Sequence, residues 1–138
     1  MSDRDDKEKL FGDNIGMVDE MIGWLHTWNK AIGPRYSRGD NVIGLTWAGR
    51  ITDFNRVYFR QLKDEFRIGL KLRGDVSDQC EQEVRKARLV AWYSDWNRRL
   101  LIRLTPNEFA KHKSLLQRLL RTTYEQSIKP RSQIRRGI

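Results

Sequence analysis

Phe66-Arg67-Ile68-Gly69-Leu70-Lys71-Leu72-Arg73 alternates apolar side chains with cationic or absent ones. Successive side chains of a strand point to opposite faces, so this run predicts a strand with one apolar and one cationic side. Two earlier runs repeat the pattern. In residues 41–52, Ile43, Leu45, Trp47 and Ile51 share one face, with Thr46, Ala48 and Arg50 on the other. In residues 56–62, Val57 and Phe59 oppose Arg56, Tyr58 and Arg60. Turn-like Thr52-Asp53-Phe54-Asn55 and Lys63-Asp64-Glu65 separate the runs. Short connections of this kind predict a three-stranded antiparallel meander with one buried face. Phe54, Val57, Tyr58, Leu62 and Phe66 also fit a helical period over 53–66, but the alternation on either side favours strands.

The solvent side of that meander carries Arg50, Arg56, Tyr58, Arg60, Arg67, Lys71 and Arg73, while Asp53, Asp64 and Glu65 fall in turns. A solvated face normally mixes both signs, so a face of one sign points to an anionic partner. Each Arg or Lys that reaches a phosphate releases a counterion, and Tyr58 offers a ring on which a base can stack.

Before the meander, Asp13 or Asn14 is placed to cap a helix whose apolar stripe runs Ile15, Val18, Met21, Ile22, Leu25, Trp28 and Ile32. Gly33-Pro34 is expected to end it. Met17 and Trp24 widen the stripe, so this helix should touch more than one neighbour. After the meander, Gly74-Asp75 opens a long helix, capped by Asp75 or Ser77, with Cys80, Val84, Ala87 and Ala91 on one side. Leu89, Trp92, Trp96 and Leu100 lie on another, and Glu81–Arg85 and Asp95–Arg99 make i,i+4 ion pairs. Thr105-Pro106-Asn107-Glu108 combines an N-cap Thr, a first-turn Pro and a capping-box Glu. It starts a last helix with the stripe Phe109, His112, Leu115, Leu116, Leu119 and Leu120.

The expected fold is therefore α+β: N-terminal helix, three-stranded meander, long helix, capped C-terminal helix and basic tail. Residues 1–12 are assigned to a flexible charged N-terminus, 13–127 to a single domain and 128–138 to a basic arm. The order helix, three strands, helix is similar to that of the double-stranded RNA-binding domain. The acidic stretch at 75–83 departs from that domain's lysine cluster, so the similarity is one of topology.

The 138 residues carry a net charge of +9, unevenly spread. Residues 1–20 hold seven acids against three bases, and residues 97–138 hold eleven bases against two acids. Such asymmetry is a pointer to nucleic acid or an anionic surface. With 38% hydrophobic residues and five Trp, a packed core is expected. The lone Cys80 has no intrachain disulfide partner, no run approaches the roughly 20 apolar residues of a membrane span, and the N-terminus lacks a signal-type apolar region. A cytoplasmic, reducing setting is the expectation.

Catalytic and metal motifs are not found. His26 and His112 have no ligand at metal spacing, and no phosphate-loop or nucleophile context occurs, so neither metal nor cofactor is expected. Asp53 followed by Gln61-Leu62-Lys63 loosely matches a metal-dependent nuclease arrangement, but Gln stands where a carboxylate ligand is needed. Arg38-Gly39-Asp40 and Arg73-Gly74-Asp75 are read as a turn and a cap. Trp24-Leu-His-Thr-Trp28 parallels Trp92-Tyr-Ser-Asp-Trp96, and the two Trp pairs are expected to form packing ridges in a core or a subunit interface.

The expected function is non-enzymatic nucleic-acid binding, RNA or DNA, with little sequence specificity. Its contacts are the sheet-face residues named above and, from the arm, Lys129, Arg131, Arg135 and Arg136. The alternative is an assembly subunit that oligomerises through Trp24, Trp28, Trp92 and Trp96. A lesser alternative is docking on an anionic membrane surface.

Overall fold

The computed structural model describes residues 3–47 and 54–128. Helix α1 (Asp3–Phe11) leads through a 3-10 turn at Gly12–Asn14 into α2 (Ile15–Trp28). Strands β1 (Ile32–Tyr36), β2 (Val42–Trp47), β3 (Val57–Gln61) and β4 (Phe66–Leu70) follow, then α3 (Gly74–Lys86). Strands β5 (Val90–Ser94) and β6 (Arg99–Leu104) precede α4 (Pro106–Lys111) and α5 (Lys113–Ile128). The described residues form one antiparallel six-stranded sheet in the order β1-β2-β3-β4-β6-β5.

The mixed α+β class stands, but the sheet is twice as wide as expected. The three expected strands are its middle members β2, β3 and β4, and the helical alternative for 53–66 is set aside. The first added strand is β1. Ile32, Gly33 and Pro34, expected to end the first helix, instead pair with Trp47, Thr46 and Leu45. The helix stops at Asn29, whose side chain accepts the Ala31 N–H at 2.9 Å. That local bond replaces a helical one, which is how Asn ends helices.

The second correction concerns 75–100, expected as one long helix. It ends near Ala87, and Arg88 at φ 64° reverses the chain into β5. Val90-Ala-Trp-Tyr is rich in residues that suit a pleated surface, and that preference outweighs the helical spacing of Leu89, Trp92, Trp96 and Leu100. The expected Asp95–Arg99 pair therefore does not form, whereas Glu81–Arg85 does, at 2.9 Å. The double-stranded RNA-binding topology is likewise not the one observed.

Residues 3–11, expected as a flexible terminus, form α1. Its first turn carries Asp3, Asp5 and Asp6 at the positive end of the helix dipole. Arg4 donates to Asp19 at 2.7 and 2.8 Å and to the Tyr36 hydroxyl at 2.8 Å, which raises its pKa above the ordinary guanidinium value. Lys7, buried, reaches both the carbonyl and the carboxylate of Asp40 at 2.6 Å. Phe11 meets Phe66 edge-on at 6.2 Å between ring centres.

One row of the register aligns Ile43, Phe59, Ile68, Ile102 and Ala91 across five strands. All five are buried, in one core cluster with the buried apolar residues of the helices. The helices thus lie on this inner face of the sheet. α2 packs on both β1 and α5, as its wide arc predicted. The capping box at Thr105 and Glu108 forms as expected, although the helix it starts breaks at His112. No described helix is long and apolar enough to cross a membrane.

Candidate nucleic-acid interface

The alternation that buries Phe59 and Ile68 sends their neighbours to the other side. Arg60, Arg67 and Arg103 lie side by side on β3, β4 and β6. In the adjacent row Tyr58, Gly69, Leu101 and Trp92 are aligned. A Cβ on Gly69 would stand 2.1 Å from the Tyr58 ring, so the ring lies across this glycine. Guanidinium groups cover the aromatics. Arg60 and Arg99 are each 5.4 Å from the Tyr58 ring centre, and Arg67 is 4.9 Å from Trp92. Cation–π pairs of this kind fix the arginines in place without neutralising them.

At the end of the sheet, the Lys71 N–H donates to the Arg56 carbonyl at 2.7 Å, which brings the two cations onto neighbouring strands. Burial, with Arg73 and Arg99 beside it, lowers the Arg56 pKa. Burial also lowers that of Lys71, helped by Arg56, Arg99, Arg98 and Arg73. Among the described residues, Arg56, Lys71, Arg73, Arg98 and Arg103 form no ion pair, whereas Arg67 is bound to Glu65. Arg99 donates to the carbonyls of Asn97 and Asn55, both at 2.7 Å. The Nε groups of Arg60 and Arg99 are buried with no acceptor. Several cations of this face are thus without a carboxylate partner among the described residues, and a charged guanidinium or ammonium group is a strong donor to an anion.

Six of the expected contact residues, Arg56, Tyr58, Arg60, Arg67, Lys71 and Arg73, are brought together here. Arg50, Lys129, Arg131, Arg135 and Arg136 lie outside the described residues, as does Asp53. Arg98, Arg99, Arg103 and Trp92 join the face without having been foreseen there. The signal was available: Arg99-Leu-Leu-Ile-Arg-Leu104 ends on an alternation like that of 66–73.

The expected Trp ridges divide. Trp24 stacks on Phe109 at 5.7 Å and Trp28 leans on Tyr124 at 6.3 Å, both half-buried within the protein. Trp92 lies on the cationic face, and Trp96 stands in the β5–β6 turn. Gln61 of the nuclease-like trio accepts from Asn14 and donates to the Leu62 carbonyl, each at 2.8 Å. His26 Nδ1 lies 3.0 Å from the Ile32 carbonyl, and no described cluster of His, Cys, Asp or Glu could hold a metal. Comparison with protein-family models, curated proteins and solved structures finds no significant match.

Proposed function

We propose that the protein is a non-enzymatic nucleic-acid-binding protein that holds phosphates on the outer face of its sheet, with the basic arm as a second contact. One observation carries the reading: Arg56, Lys71, Arg73, Arg98 and Arg99 lie near one another with no ion pair to a carboxylate among the described residues, and the arginine charges add to burial in lowering the Lys71 pKa. Like charges held together by a fold cost stability unless a partner neutralises them. Phosphates arriving at this cluster relieve that repulsion, and the released counterions supply the affinity. The contacts are to backbone oxygens, so little sequence readout is expected.

A salt titration of binding to duplex RNA, duplex DNA and single strands tests this. Each phosphate contact contributes a slope of roughly 0.7–0.9 in log K against log salt. Lys71→Glu should lower both the affinity and that slope. Binding that is absent or insensitive to salt on all three ligands contradicts the proposal. If truncation after Ser127 abolishes binding while Lys71→Glu leaves it intact, the arm alone is the site.

A further inference from the structure

Trp96 is 94% exposed, although Trp is a residue that folding normally buries in large part. It sits in the four-residue connection Asp95-Trp96-Asn97-Arg98, closed by the Ser94–Arg99 pair. This loop is held at both ends. The Asn97 N–H donates to Ser94 Oγ at 3.3 Å, Arg99 donates to the Asn97 carbonyl at 2.7 Å, and Arg98 takes a left-handed φ of 53°. The same Arg99 stacks on Tyr58, so one side chain joins the loop to the cationic face. Arg98, next but one to the Trp, acts electrostatically on Lys71.

An exposed ring on a fixed loop at the border of a cation cluster suits a ligand that is anionic and also has flat apolar faces. We infer that Trp96 is a stacking platform for an unpaired nucleobase, so that the ligand of the outer face is single-stranded nucleic acid and not a duplex. This rests on the phosphate-binding reading above and narrows it. In a duplex the base faces are closed to a side chain, whereas an unpaired base presents its π-face to an aromatic ring. Two other occupants fit less well. A membrane surface would meet one apolar residue at a tip that also carries Asp95, which anionic lipid repels. A second copy pairing along the β5 edge would have to displace Arg85, which donates to the outward carbonyl of Ala91 at 3.1 and 3.2 Å.

The test titrates the full chain with 12-nucleotide oligouridylate and oligothymidylate, a blunt duplex of equal charge, and phosphatidylserine vesicles. Wild type should prefer the single strands, which should quench Trp emission. Trp96→Ala, at an exposed position and checked for folding by circular dichroism, should lose that quenching and about ten-fold in single-strand affinity. Its duplex affinity and salt slope should not change. Equal single-strand affinity for wild type and Trp96→Ala overturns this inference, while a salt-dependent loss in Lys71→Glu would leave phosphate binding standing. Failure of wild type to bind any nucleic acid overturns both. A Trp96-dependent emission shift on vesicles alone would make the tip a membrane contact and also overturn the inference.

Discussion

The two faces of one sheet share a register and differ in almost everything else. On the inner face Ile43, Phe59, Ile68, Ile102 and Ala91 form an unbroken buried row. On the outer face Arg60, Arg67 and Arg103 are neighbours, with Tyr58 and Trp92 beneath guanidinium groups. The inner row is held by loss of water from apolar surface, a force without direction. The outer rows are held by stacking, which sets geometry and leaves net charge available. The outer face nevertheless has a small apolar layer of its own: Leu101, between Gly69 and Trp92 in the register, is only 3% exposed. A period of two is enough to produce both surfaces from the same strands.

The largest expected difference between the faces is in stability. Phe59→Ala, at a fully buried site stacked on Phe66, should cost about 3–5 kcal/mol in urea denaturation. The folded fraction should bind nucleic acid as before. An equal loss from Arg103→Ala, at an exposed position of the outer row, would break the distinction. Next comes Gly69→Ala. The new methyl collides with the Tyr58 ring, and moving the ring also undoes its pairing with Arg60 and Arg99. A loss of about 1–2 kcal/mol is expected by thermal denaturation, within the range for overpacking. Gly44→Ala is the control on the same face. Its methyl would sit 3.4 Å from the Arg35 guanidinium, an ordinary contact, so stability should hold or rise by a few tenths of a kcal/mol.

The inner face was legible in advance because alternation reports burial directly. Ile43, Leu45, Val57, Phe59, Phe66, Ile68 and Leu70 were all placed correctly. What escaped was the limit of the sheet. Arg88 and Arg98 turn the chain in the left-handed region without Gly, so neither turn carries the usual mark. With the turns hidden, Leu89, Trp92, Trp96 and Leu100 read as a helical stripe, and four members of the outer face were lost with the two strands. Pro34 misled in the opposite sense. It lies in an edge strand, where its missing N–H removes no ladder bond, so it reads as a helix stop in sequence and tolerates a strand in space. Lys7 also escaped, because a buried lysine is recognisable only once its partner Asp40, 33 residues away, is beside it.

The smallest expected effect distinguishes the faces by pH, and it follows from Lys71. Burial and the surrounding arginines hold its folded-state pKa below the ordinary lysine value. Between the two values the unfolded chain binds more protons than the folded one, so stability rises with pH in that window. Below the window the cluster is fully charged and its repulsion is at full strength. Cys80 works against this. Burial, with Glu83 nearby, raises its thiol to about 11, so it contributes stability that is lost as pH rises through that value. The measurement is therefore the difference between wild type and Lys71→Met, in which Cys80 cancels. Lys71→Met should be more stable by about 0.5 kcal/mol in low salt at neutral pH, a scale set by partly exposed charges. The gap should close as pH approaches the lysine range, and added salt should narrow it by the share that the neighbouring arginines contribute. A gap unmoved by salt would mean that burial of the Lys71 charge, and not the neighbouring arginines, sets it, and the like-charge cluster of the outer face would then carry no measurable cost.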